Sequence, residues 1–116
     1  MHAELLHPNE FLKAADLRGQ DVTLTILHVE LEQLTMTGGQ KETKPVVHFT
    51  EMQKREGVER KRLVLNKTNR RIIQRLYGDE TDHWKGKRIT LYPTRAKFGR
   101  DDVDAIRIRN KKPETK

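Results

Sequence analysis

The 116-residue chain contains no cysteine and no serine. Without thiols it can build no disulfide framework, zinc ribbon or zinc knuckle, and it suits a reducing compartment. Without serine it has no Gly-x-Ser-x-Gly nucleophile elbow. Gly38-Gly39 is not followed by the Gly-Lys-Ser/Thr of a phosphate loop. No apolar run approaches a membrane span, so no membrane partner is expected. The opening stretch, Met1-His2-Ala3-Glu4-Leu5-Leu6-His7-Pro8, lacks the basic-then-apolar layout of a signal peptide. A cytoplasmic location is expected. Aromatic residues make up only 5% of the chain, which limits any ring-stacking surface to one or two platforms.

What the chain has in excess is positive charge. Twenty-four Lys and Arg against 17 Asp and Glu leave a formal net charge of +7, with a pI near 9.9. Such a balance favours polyanionic partners. Hydrophobic content is 34% and charged content 35%, so one domain with a small core is expected.

The order of elements can be read along the chain. Residues 1–8 form a leader expected to be flexible, and 9–109 the domain. Asn9 caps a short helical turn over 10–17, whose apolar side is Phe11, Leu12, Ala15 and Leu17, ended by Gly19. A long strand pattern covers 21–34. Val22, Leu24 and Ile26 alternate with threonines, and past His28 the apolar parity shifts to Val29 and Leu31. A period of two that slips by one residue predicts a β-bulge in a long, bent strand serving both halves of a closed sheet. Strand two covers 44–50, with Val47 and Phe49 inward and Val46 and His48 facing the other way. A charged loop spans 51–60. Strand three follows over 62–66, with Leu63 and Leu65 inward.

Asn66 or Thr68 caps a helix over about 67–77, with Ile72, Ile73, Leu76 and Tyr77 on one face and Gly78 at its end. Trp84 is expected to be buried against the helix end, near Leu76 and Tyr77. Strand four covers 86–92, a loop or wing 93–102, and strand five 102–109. Residues 110–116 form a basic tail expected to be disordered. A lone helix between the third and fourth strands of a small all-β chain predicts a five-stranded OB-fold-like barrel, a fold that often presents a groove to oligonucleotides.

The chemistry-bearing residues argue against an enzyme. Of the five histidines (2, 7, 28, 48 and 83), no pair has the helical spacing of a zinc site, and His48 reads as a half-exposed strand residue. The carboxylate groups Asp79/Glu80/Asp82 and Asp101/Asp102/Asp104 flank glycines at predicted turns, where Asp serves local hydrogen bonds. No catalytic residue, metal ligand or cofactor is expected. The binding signal is stronger. In strand four, Arg88, Thr90 and Tyr92 alternate with core residues. In strand five, Arg107 and Arg109 do the same. Arg62 joins them from strand three, and Arg95, Lys97, Phe98 and Arg100 from the wing. A basic groove with interleaved rings holds single strands without reading their sequence. The expected contact set is Arg62, Arg88, Tyr92, Arg95, Lys97, Phe98, Arg107 and Arg109.

Several stretches also carry a resemblance: Phe11-Leu12-Lys13-Ala14-Ala15-Asp16-Leu17, Leu65-Asn66-Lys67-Thr68-Asn69, Leu76-Tyr77-Gly78-Asp79-Glu80-Thr81, Trp84-Lys85-Gly86-Lys87-Arg88-Ile89-Thr90-Leu91-Tyr92-Pro93-Thr94 and Val103-Asp104-Ala105-Ile106-Arg107-Ile108-Arg109. Here the chain resembles a group of small proteins encoded by bacteriophages and prophages. The resemblance implies an OB-like domain that handles single-stranded DNA in replication or recombination, with RNA as a second possible ligand and a phage or host replication protein as a further partner. It carries no site residues to transfer. The basic tail departs from bacterial single-strand-binding proteins, which end in an acidic one. The competing reading is a phage assembly or protein-docking module with no nucleic-acid role. Convergence of basic residues on one face across strands two, three and five would separate the two.

Overall fold

The computed structural model describes residues 11–35, 38–52 and 61–113 of the chain. Five strands form one antiparallel sheet: β1 (Val22–Thr35), β2 (Lys41–Phe49), β3 (Arg62–Val64), β4 (Arg88–Phe98) and β5 (Asp101–Ile108). Their spatial order is β3-β2-β1-β4-β5. One α-helix, α1 (Lys67–Tyr77), joins β3 to β4. The sheet is open: β3 and β5 are its edges, and among the described residues no ladder joins them. The leader residues 1–8, most of the 51–60 loop and residues 114–116 lie outside the described residues.

The bent first strand is present. The start of β1, Val22–Thr25, pairs with Leu91–Arg88 of β4, and its later part pairs with β2. The register shifts between Ile26 and His28, where the apolar parity slips in the sequence. The shift keeps Leu24 and Ile26 on the core side before the bulge and Val29 after it, because one inserted residue reverses the facing of all that follow.

The core gathers Leu12 and Leu17 from the N-terminal segment, Leu24, Ile26, Val47, Phe49 and Leu63 from the first three strands, Leu65 just after β3, Ile73 from α1, and Ile89, Leu91, Ile106 and Ile108 from the last two. Trp84 closes the corner as expected. It is 2% exposed, and its Nε1 donates to the carbonyl of Gly78 at 2.8 Å. Asn66 caps α1, its side chain accepting from the Asn69 amide at 2.8 Å. Gly78 ends the helix at a φ of +91°, which strains any side chain.

Four expectations need correction. The helical turn expected over 10–17 is a short 3-10 turn, Ala14–Leu17, with Lys13 at its N-cap, and Asn9 lies outside the described residues. Val46 and His48 face away from Val47 and Phe49 as expected, but His48 is not half-exposed. They are 0% and 2% exposed, because the outer side of β2 carries its own packed cluster. Leu31 is not core: it stands 74% exposed on the arm that β1 and β2 extend beyond the sheet. The wing expected over 93–102 is a hairpin, since β4 runs through Pro93 to Phe98 and pairs with β5 throughout. Proline is tolerated here for a geometric reason. Arg109 donates its amide to Thr90, so Pro93, opposite Ile106, falls at a non-hydrogen-bonded position of the β4–β5 ladder. Its missing N–H is on the side that β1 has already left, beyond the Val22–Leu91 pair.

Candidate nucleic-acid interface

Alternation along β4 and β5 sends Ile89, Leu91, Ile106 and Ile108 into the core. It leaves Arg88, Thr90, Tyr92 and Arg107 half-buried and Arg109 exposed on the other face. Tyr92 and Arg107 are direct cross-strand partners. The guanidinium of Arg109 lies 3.7 Å from the centroid of the Tyr92 ring, a cation–π contact that covers that face of the ring with a second flat group. Arg109 also forks onto Asp21, with Nε and Nη2 each donating to a carboxylate oxygen at 3.0 Å. That pairing holds the Asp21 carboxyl below the ordinary range, so it is a fixed negative charge at neutral pH. The hydroxyls of Thr23 and Thr90 share a hydrogen bond at 2.7 Å and continue the face onto β1.

Beside these residues lies a cleft of about 640 Å³ lined by Asp21, Thr23, Arg88, Thr90, Arg109, Lys111, Lys112 and Pro113. Four of the eight are cations and one is an anion. Lys112 sits with its ammonium 5.4 Å from the Tyr77 ring centroid. The Tyr77 hydroxyl donates to the Arg88 carbonyl at 2.5 Å, which ties α1 to the edge of this face. Burial raises the Tyr77 hydroxyl above its usual pKa, so it stays a donor. Sequence reasoning missed Lys111 and Lys112, assigning them to a tail. The end of β5 was legible to within one residue, but the course of the chain after Ile108, which brings both lysines beside Arg109, has no signal in the residue pattern.

The other expected contact residues are placed differently. Arg95 is exposed on the β4–β5 arm and already engaged, donating to Asp104 Oδ1 at 2.9 Å and to the Asp102 carbonyl at 3.0 Å. Lys97 is exposed on the same arm, opposite Asp102. Phe98 ends β4, and its side chain lies outside the described residues. Arg62 does not join the group. It is 6% exposed on β3, stacks over Phe11 at 4.4 Å and forks onto Glu32 with two 2.8 Å bonds. Convergence therefore spans β4, β5 and residues 109–112, without β2 or β3.

The Arg62–Glu32 pair belongs to a second polar cluster, on the outer side of β1, β2 and β3. His28 and His48 are register partners whose rings stack at 4.5 Å. Glu30 and Glu32 follow His28 at intervals of two along β1, so alternation puts all three on one face. His28-x-Glu30-x-Glu32 is visible in the sequence, but its partnership with His48 depends on the bulge-shifted register.

No family model matches this chain, and neither the curated proteins nor the solved structures give a match.

Proposed function

We propose that this chain binds single-stranded nucleic acid, single-stranded DNA first, across the outer face of β1, β4 and β5. One observation carries the reading: Arg88, Arg109, Lys111 and Lys112 line one cleft, with Arg107 and the half-buried Tyr92 paired beside it, and Asp21 is the one acid in that lining. Cations neutralise phosphates, and the Tyr92–Arg109 pair offers a plane on which any base can stack. The strand order β3-β2-β1-β4-β5, with a helix after β3, supports an OB-type barrel left open between β3 and β5. The phage-type resemblance supports a role in replication or recombination in the host cytoplasm.

The test is titration of labelled oligo-dT, oligo-rU and a duplex at two salt concentrations. With one main stacking platform, charge dominates. Affinity should fall with salt at a slope near −0.7 per phosphate neutralised, the value for single strands. Reversing Arg107 and Arg109 together should weaken all sequences alike and flatten the slope. Tyr92→Ala should cost about 1–3 kcal/mol, the loss of one stacked base, and leave the slope nearly unchanged. Absence of binding at low salt, or equal binding of duplex with no response to Tyr92→Ala, would sink the proposal in favour of protein docking.

A further inference from the structure

On the other half of the outer face, three side chains share one focus. His28 and Glu30 stand two residues apart on β1, and His48 faces His28 across the β1–β2 ladder. His28 Nε2 lies 2.9 Å from Glu30 Oε1, and His48 Nε2 lies 3.4 Å from Glu30 Oε2. One ligand atom from each of the three residues lies within 4.8 Å of the others. His28 Nε2 is buried, and its approach to Glu30 lacks the alignment of a hydrogen bond. A ring lone pair set against a carboxylate is repulsive unless a proton or a cation lies between them.

We propose that His28, Glu30 and His48 form a site for one divalent transition-metal ion of the zinc class, with solvent completing the coordination. Zinc bonds to imidazole nitrogen and carboxylate oxygen are about 2.0–2.2 Å, which puts neighbouring ligand atoms about 3.3 Å apart in a tetrahedron. The two imidazole–carboxylate contacts, each to a different oxygen of Glu30, are near that value, and because the two rings stack nearly parallel at 4.5 Å, one of them must turn about its side-chain torsions to aim its nitrogen at the same ion. Burial is graded in the sense such a site requires. The His48 side chain, 3% exposed, forms the floor; His28 at 32% and Glu30 at 55% form a mouth open to water. Three protein ligands with a solvent-filled fourth position is the pattern of open zinc sites.

Charge and donor type point the same way. Glu30 and Glu32 against Arg62 leave one net negative charge beside two imidazoles, which favours a cation there. Glu32 is held by the Arg62 fork, and its Oε2 lies 3.4 Å from the same His48 nitrogen that faces Glu30, so it adds negative charge at the margin of the site. Two nitrogen donors select against magnesium and calcium, which take oxygen ligands. The absence of cysteine removes the thiolates that draw copper(I).

The site is separate from the Tyr92 face, so the test needs no nucleic acid. The full chain, stripped with chelator, is titrated with Co²⁺ while the visible absorption of four-coordinate cobalt is followed, and Zn²⁺ is then added as competitor. One Co²⁺ per chain should bind and be displaced by Zn²⁺, and the melting temperature should rise with Zn²⁺. Glu30→Gln and His28→Gln change side chains that reach solvent, so both variants should fold. Each should weaken the metal by at least about tenfold, the loss seen even when a supporting group is removed. His83→Gln, at an exposed histidine elsewhere, should bind as the parent does. Two results would overturn the proposal: no cobalt spectrum together with no thermal shift, or equal affinity in the parent, Glu30→Gln and His28→Gln.

Discussion

At the scale of single residues, two side chains fix where the helix sits, and only one could be read beforehand. Trp84 is the sole tryptophan, placed between a capped helix and a strand, and nothing in the sequence competes for that corner. Its burial removes a large apolar surface from water while the indole N–H is satisfied by Gly78. Trp84→Ala should therefore cost about 3–5 kcal/mol, as for other buried aromatics. Trp84→Phe keeps most of the volume and should lose only about 1 kcal/mol with the hydrogen bond. Urea denaturation of the two variants separates packing from polarity; a parent-like Trp84→Ala would show that the indole contributes nothing to that corner. Asn69 was not legible. It is an amide on a helix, ordinarily solvated, yet it is 1% exposed and donates to the Ile106 carbonyl at 2.9 Å. It bridges α1 to β5 on the side where β3 and β5 fail to pair. Its burial follows from the open sheet, which local pattern does not encode.

At the scale of elements, the helix and the bulge were legible because each has its own period and its own boundary residues, Asn66 and Gly78 for one and the parity slip for the other. The β4–β5 hairpin was not. Pro93 reads as a strand breaker unless one knows that β1 departs at Leu91 and leaves the proline nitrogen with no partner to disappoint. The buried side of β2 was hidden for a similar reason: His48 and Val46 alternate with core residues, and only the side chains of β1 and β3 cover them. That cluster makes the acid limb of stability testable. The Arg62 hydrogen bonds hold the Glu32 carboxyl below its ordinary value of 4.5, against the opposing effect of burial. A depressed folded-state pKa stabilises the fold fully above the unfolded value and loses that contribution as pH falls below about 4.5 through the folded value. Glu32→Gln, measured in chelator, should therefore be less stable than the parent at neutral pH and lose less on acidification. Arg62→Ala should be the harsher change, about 3 kcal/mol or more, because it leaves a carboxylate facing a buried imidazole without its partner. Parallel acid limbs for the parent and Glu32→Gln would show that the fork carries no linkage.

At the scale of the whole molecule, the bulge divides charge as well as facing. Composition shows the +7 excess but not its partition. The fold assigns Glu30, Glu32 and Arg62 to one half of the outer surface and Arg88, Arg107, Arg109, Lys111 and Lys112 to the other. Association of a polyanion depends on the field over the face it meets, and on that half Asp21 subtracts from the field and holds Arg109. Asp21→Asn raises the formal net charge by one and frees the Arg109 fork for phosphate. The exposed pair contributes little to stability, so the melting temperature should barely move. Oligo-dT affinity should rise, and the salt slope should steepen by up to about 0.7 as one more phosphate is neutralised. A gain of binding from removing a side chain is hard to produce by damaging a fold, and a protein-docking surface gives no reason for it. If Asp21→Asn instead weakens oligo-dT, the carboxylate is holding Arg109 over Tyr92 in the binding geometry, and Arg109 then acts by positioning the ring rather than by meeting phosphate. The Arg109→Lys variant distinguishes these roles: lysine keeps the charge and loses the flat fork, so it should preserve the salt slope while affinity falls only if stacking is the function of Arg109.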